Sequence, residues 1–141
     1  MTVATTYSSA ELGIDAPLVI VEADVSSGLP QTLIVGLPET AVRESKDRVK
    51  AAIVSSGFEF PLQRITVNLA PADLPKSSGR YDLAIALSIL AASGQIPGGK
   101  IEMFELLGEL SLTGSLRAVR GVLPAALRSK GGRRRLIVPF A

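Results

Sequence analysis

Three stretches of this chain hold residues that could do chemistry. In "PADLPKSSGRYD", Lys76 stands beside Ser77 and Ser78 in a loop rich in Pro and Gly. A serine with a desolvated lysine as its base is a hydrolytic dyad that works through an acyl-enzyme. Adjacent side chains rarely point at one another, so Lys76 is a poor base for either serine. Lys100 and Lys130 are the alternatives outside the first helix, and spacing favours neither. The second stretch, "GQIPGGKI" from Gly94 to Ile101, has the glycines and lysine of a phosphate loop. It ends in Ile where Ser or Thr must reach Mg²⁺, and it follows a helix rather than a strand, so it reads as a plain loop. The third is the pair Asp73 and Asp82. Carboxylates without phosphate partners more often serve turns and caps than bind Mg²⁺.

Composition narrows the field further. The 141 residues include no histidine and no cysteine. A histidine-based triad and a thiolate or imidazole zinc site are therefore excluded, as is a disulfide framework. Apolar residues make up 47% and aromatics 4%, so the core must be aliphatic, and the length suits one domain. Net charge is only +2 but unevenly spread. Glu11 to Asp24 carries only acidic charge. Arg117, Arg120, Arg128, Lys130, Arg133, Arg134 and Arg135 form a basic segment with no acid between them. Such a segment suits DNA phosphates, a neighbouring domain or subunit, or solvent. No aromatic residues interleave to stack on bases. With no basic start and apolar run at the N-terminus, and no apolar stretch long enough for a bilayer, a cytoplasmic protein without membrane contact is expected.

Periodicity supplies the elements that must position these residues. Val3 to Tyr7, Leu18 to Val25 and Gln31 to Leu37 read as strands, forming a meander of antiparallel neighbours. Pro38 opens a helix to about Ser56, with Val42, Ser45, Val49, Ala52, Ile53 and Ser56 on its apolar face. Arg64 to Leu69 alternates as a half-buried strand, and Asn68 at its end should bond nearby backbone. Tyr81 to Ser93 is apolar nearly all round and reads as a central helix. Asp82 serves as its N-cap or first-turn carboxylate, and Tyr81 packs with its hydroxyl near solvent. Phe104 to Leu112 is a strand, Val122 to Lys130 a helix, and Leu136 to Val138 a last strand. Gly36, Gly108, Gly114 and Gly121 serve turns and close packing. The order predicts an α+β fold, an α/β sandwich with helices on one or both faces.

Several long motifs in fixed order resemble a known family. The run from "GLPETAVRESKDRVKAAIVSSGFEFPLQRITVNLAPADLPKSSGRYDLAIALSILAASGQIP" through "LLGELSLTGSLRAVRGVLPAAL" to "RRLIVP" is similar to the N-terminal domain of the ComM/YifB, magnesium-chelatase-like (ChlI-type) proteins. The resemblance covers nearly the whole chain. It implies a Lon-proteolytic-domain-like fold of the ribosomal-protein S5 domain 2 type, with residues 1–141 as one domain. It further implies an AAA+ ATPase module downstream, which would hold ATP and Mg²⁺; no P-loop occurs before "LIVPFA". Carried from Pro75-Lys76 through Gly79, the position of the Lon serine falls on Tyr81. Carried from Gly108-Glu109 through Gly121, that of the Lon lysine falls on Leu123. A phenol and an isobutyl group would then fill the catalytic pocket, and this chain would not be an enzyme.

The function implied is a non-catalytic accessory domain of a hexameric AAA+ motor that acts on branched DNA in natural transformation and recombination. The seven basic residues would supply its contacts to DNA, to the ATPase module or to neighbouring subunits, and the domain itself would bind no cofactor or metal. Two alternatives stand beside it: a Ser–Lys peptidase with a displaced dyad at Ser77 or Ser78, and a free-standing nucleic-acid-binding module.

Overall fold

In a computed structural model, every residue is described except 1, 2, 73, 75–78, 131, 133, 140 and 141, together with the side chain of Lys130. The elements are β1 (Val3–Ser9), β2 (Leu18–Ser26), β3 (Gln31–Val35), α1 (Glu39–Ser55) and β4 (Arg64–Ala70). A 3₁₀ turn, Gly79–Tyr81, then leads into α2 (Asp82–Ala92), followed by α3 (Gly98–Ile101), β5 (Phe104–Leu106), β6 (Glu109–Leu110) and β7 (Leu116–Arg117). The chain closes with α4 (Val122–Lys130) and β8 (Arg135–Ile137). No described helix is long and apolar enough to cross a membrane.

Six strands form one mixed sheet in the order β3-β4-β2-β1-β5-β8, and β6 pairs with β7 in a small ribbon. The fold is thus of the mixed α/β kind that the element order predicts. The antiparallel meander is not formed as expected. β1 and β2 are antiparallel neighbours, but β4 enters between β2 and β3. The reason is α1, which carries the chain back across the sheet so that β4 runs parallel to β3. β4 then offers its other edge to β2, in register from Ile20↔Ala70 to Ser26↔Arg64.

Alternation along the strands builds one dry face. Val19, Val21, Ala23 and Val25 of β2 and Ile65, Val67 and Leu69 of β4 are buried, while their sequence neighbours are not fully so. Helix α2 lies across β1 and β2, and α1 packs at its side through Val49, Ala52 and Ile53. The apolar face of α1 is close to that read from its periodicity, with Ala41 buried in place of Val42 and Ser56. Pro38 is the residue before the helix rather than its first turn. Two hydroxyls in this dry layer are satisfied by backbone: Thr6 donates to the Ala84 carbonyl at 2.9 Å, and Ser8 to that of Leu106 at 2.7 Å. A second, smaller cluster of Ala16, Leu107 and Ala125 forms where α4 packs on β8.

The strand expected over Phe104 to Leu112 is broken into β5 and β6. Leu107 turns its side chain to the second cluster while its N–H still donates to the Ile137 carbonyl at 3.0 Å, and Gly108 bonds the Arg80 carbonyl instead, where a Cβ would meet the Leu116 side chain at 2.6 Å. Gly36 ends β3 two residues before the boundary read from sequence. Its φ of +99°, and a Leu69 carbonyl oxygen 2.2 Å from where a Cβ would stand, admit no side chain. Gly114 and Gly121 also take positive φ in turns, as expected. Asn68 lies inside β4, paired with Glu22 and Val35, rather than at a strand end bonding backbone. Its amide reaches the Glu22 carboxylate at 3.5 Å. Residues Gly94 to Ile101 hold no phosphate-loop geometry: Gly94 closes α2, and Gly98–Ile101 forms the single turn α3.

Candidate functional site

The junction between the 3₁₀ turn and α2 is where the resemblance places a peptidase nucleophile. Three consecutive polar side chains enter the interior there: Arg80, Tyr81 and Asp82 are 3%, 1% and 0% exposed. A buried charge is tolerated only with a partner, and both charged residues have one. Asp82 accepts from Ser45 Oγ at 2.7 Å and Arg48 Nη2 at 3.3 Å on one oxygen. Its other oxygen accepts from Arg48 Nε at 2.6 Å and the Leu110 N–H at 3.1 Å. It makes no cap for its own helix. Of the two roles expected of Asp82, the structure gives it the first-turn position and not the N-cap, which is Tyr81, and its side chain cross-links α1, α2 and β6. The hydrogen bond to Asp82 is also the main reason that the Arg48 guanidinium pKa is raised.

Arg80 points the other way. Its Nε donates to the Ser9 carbonyl at 2.9 Å and its Nη1 to the Arg120 carbonyl, joining β1 to the segment before α4. Burial lowers its pKa, against the favourable fields of Tyr81 and Glu11. The Tyr81 hydroxyl is buried without a hydrogen-bond partner among the described residues, rather than near solvent as expected. Burial raises its pKa to about 12, opposed by Arg80 and reinforced by Glu11. A phenol so held is neither a nucleophile nor a base at neutral pH.

Leu123 does not share that interior position. It is 68% exposed at the start of α4, so the expectation that its isobutyl group fills a pocket with Tyr81 is not met. The helix turns Ala125 inward instead. Lys100 is exposed on α3. Asp73, Lys76, Ser77, Ser78 and the Lys130 side chain lie outside the described residues. Among the described residues, no group of three acidic side chains is placed to hold a metal ion.

The basic segment divides into two kinds of arginine. Arg128 Nη2 pairs with the buried carboxylate of Glu105, tying α4 to β5. Arg134 donates from Nε to the Glu102 carbonyl at 3.0 Å, and its guanidinium lies 3.5 Å over the Tyr7 ring. Arg120 pairs with Glu11 at 3.1 Å on the surface. Arg117 on β7 and Arg135 on β8 are exposed, with no ion pair to any described residue. Arg133 lies outside the described residues. Arg48, Arg80 and Glu105 went unremarked in the sequence. Only Arg48 left a signal, falling between Ser45 and Val49 at the border of the apolar face of α1.

A family model described as subunit ChlI of Mg-chelatase matches residues 21–141. The "Uncharacterized protein YifB" of Salmonella typhimurium is 51% identical over 138 residues, 98% of this chain, and that of Escherichia coli is 50% identical over the same length. "Competence protein ComM" of Haemophilus influenzae is 51% identical, again over 98% of this chain. The match takes in 27% of each relative, so the chain spans about a quarter of their length.

Proposed function

This chain belongs to the ComM/YifB, magnesium-chelatase-like family, and we propose that within a ComM-type AAA+ protein it is a non-catalytic accessory domain. On this reading its fold is of the Lon-proteolytic, ribosomal-protein S5 domain 2 type. ATP and Mg²⁺ bind in an AAA+ module elsewhere in the protein, which assembles as a cytoplasmic hexamer and acts on branched DNA in transformation and recombination. The observation that carries the reading is Tyr81. A buried phenol whose hydroxyl meets no hydrogen-bond partner among the described residues stands where the resemblance puts an activated serine. The domain contributes surface instead of chemistry.

Arg120, Arg128 and Arg134 each hold a partner within the domain, which favours an inter-domain or subunit contact over a DNA track for the basic segment. Arg117 and Arg135 remain for phosphates, and with Lys130 and Arg133, whose side chains lie outside the described residues, the segment offers at most four cations. Two measurements test this. A fluorophosphonate probe should leave the domain unlabelled, and unfolded casein should stay intact; labelling that disappears in Ser77→Ala or Ser78→Ala would establish the displaced-dyad peptidase instead. In a salt titration of duplex DNA binding, four phosphate contacts give a log–log slope no steeper than about −4. A steeper slope, flattened by Arg133→Ala with Arg134→Ala, would make the domain a DNA-binding module in its own right.

A further inference from the structure

The two edges of the six-stranded sheet differ in kind. β8 carries Arg135, with Arg134 just before it, and charged edges discourage pairing with other chains. β3 reads Gln-Thr-Leu-Ile-Val, with no charge and with its one neighbouring proline, Pro30, just before it; Val35 at its end is 53% exposed and Leu29, two residues before its start, 87%. Gln31 donates its N–H to the Gln63 carbonyl, and β3 pairs with β4 from Gln31↔Arg64 to Val35↔Asn68. Because backbone groups alternate in direction along a strand, Gln31, Leu33 and Val35 turn theirs toward β4. Thr32 and Ile34 therefore turn an N–H and a C=O each toward the outside of the sheet.

Beside the first half of this edge lies a cavity of about 270 Å³ between β3, α1 and the loop that precedes β4. Thr32, Phe60 and Leu62 line it, and Lys46, Asp47 and Lys50 reach it from α1. Lys50 Nζ lies 5.6 Å from the centre of the Phe60 ring. Neither lysine forms an ion pair with a described residue. One cation more than Asp47 can answer therefore sits beside apolar surface and open backbone groups.

We propose that the β3 edge is a docking site for an extended acidic–apolar peptide segment of another protein. The segment adds as a seventh strand beside β3. Its backbone bonds Thr32 and Ile34, an aliphatic side chain covers Leu62, and a carboxylate meets Lys46 and Lys50. A second copy of this chain fits less well. β3 holds no acid to answer the lysines, and five paired residues fall far short of the roughly 1,000 Å² that a stable interface needs. The proposal is independent of the accessory-domain reading, since neither the Tyr81 junction nor the basic segment enters it.

The test is fluorescence anisotropy at low salt with a labelled short peptide of alternating Val and Thr and a central Glu. The same peptide with a central Lys, and one with N-methylated backbone amides, are the controls. The Glu peptide should bind at least about tenfold more tightly than the Lys peptide. Lys46→Glu with Lys50→Glu should reverse that preference, and the N-methylated peptide should not bind. Thr32→Pro, which removes one outward N–H, should abolish binding. If that variant fails to fold, the N-methylated peptide still probes the same hydrogen bonds. Equal binding of the Glu and Lys peptides, unchanged binding of the N-methylated one, or amide shifts that spare Thr32 and Ile34 would each overturn the proposal. So would self-association through β3 in place of peptide binding.

Discussion

The α2 junction and the α4–β8 layer both rest on arginines, and they use them differently. At the junction, Arg48 shares a carboxylate that is fully buried and also bonded by a serine hydroxyl and a backbone N–H. In the outer layer, Arg128 meets buried Glu105 from a position one-third exposed, and Arg120 meets Glu11 with most of its side chain in water. The same residue type therefore locks three elements in one region, and in the other both fastens the layer and ornaments its surface. Depth and partner number, rather than charge count, set what each contributes.

Variants that remove one partner at a time test that gradient. Asp82→Ala leaves the buried Ser45 hydroxyl and Leu110 N–H without their acceptor and the one-fifth-exposed Arg48 with only Glu44, and should cost about 3–5 kcal/mol in a denaturant titration. A loss no larger than that at Glu105 would erase the contrast between the regions. Glu105→Ala should cost less, about 1–3 kcal/mol, because the Arg128 side chain can turn partly to water. Tyr81→Phe removes an unpartnered hydroxyl and should stabilise the fold by about 1 kcal/mol. It should also change the alkaline limb of stability. With a folded pKa of about 12 against 10.0 when free, the phenol keeps its proton in both states below pH 10, and only the unfolded chain releases it as pH rises from 10 toward 12, so stability falls across that window. The Phe variant should lack this component in a pH series of melting curves. Arg120→Ala should change stability by no more than about 0.5 kcal/mol, since the pair is exposed and the carbonyl that Arg80 uses is backbone.

Much of the element order was legible because local periodicity decides it. The bounds of α4 matched, and β1, β2 and β4 ended within two residues of their predicted limits. What failed depends on partners distant in sequence. The place of β4 between β2 and β3 follows from the path of α1 across the sheet, which no strand motif encodes. The break at Leu107 belongs to a second cluster whose members, Ala16 and Ala125, lie far away along the chain. At the candidate site, Tyr81 was identified as the residue to watch, but its depth was misjudged. Tyr and Asp at a helix start are ordinarily half-exposed, and only the converging arginines and covering ribbon make them interior. Asp82 looked like a cap because its partner, Arg48, stands 34 residues earlier.

Arg80 grips carbonyls at Ser9 and Arg120, 71 and 40 residues away. Lifting the segment before α4 off the body would break one of these bonds and open the guanidinium to water, which competes for the other, so the hold on the first strand should weaken with it. A single side chain in the middle of the chain thus couples its two ends.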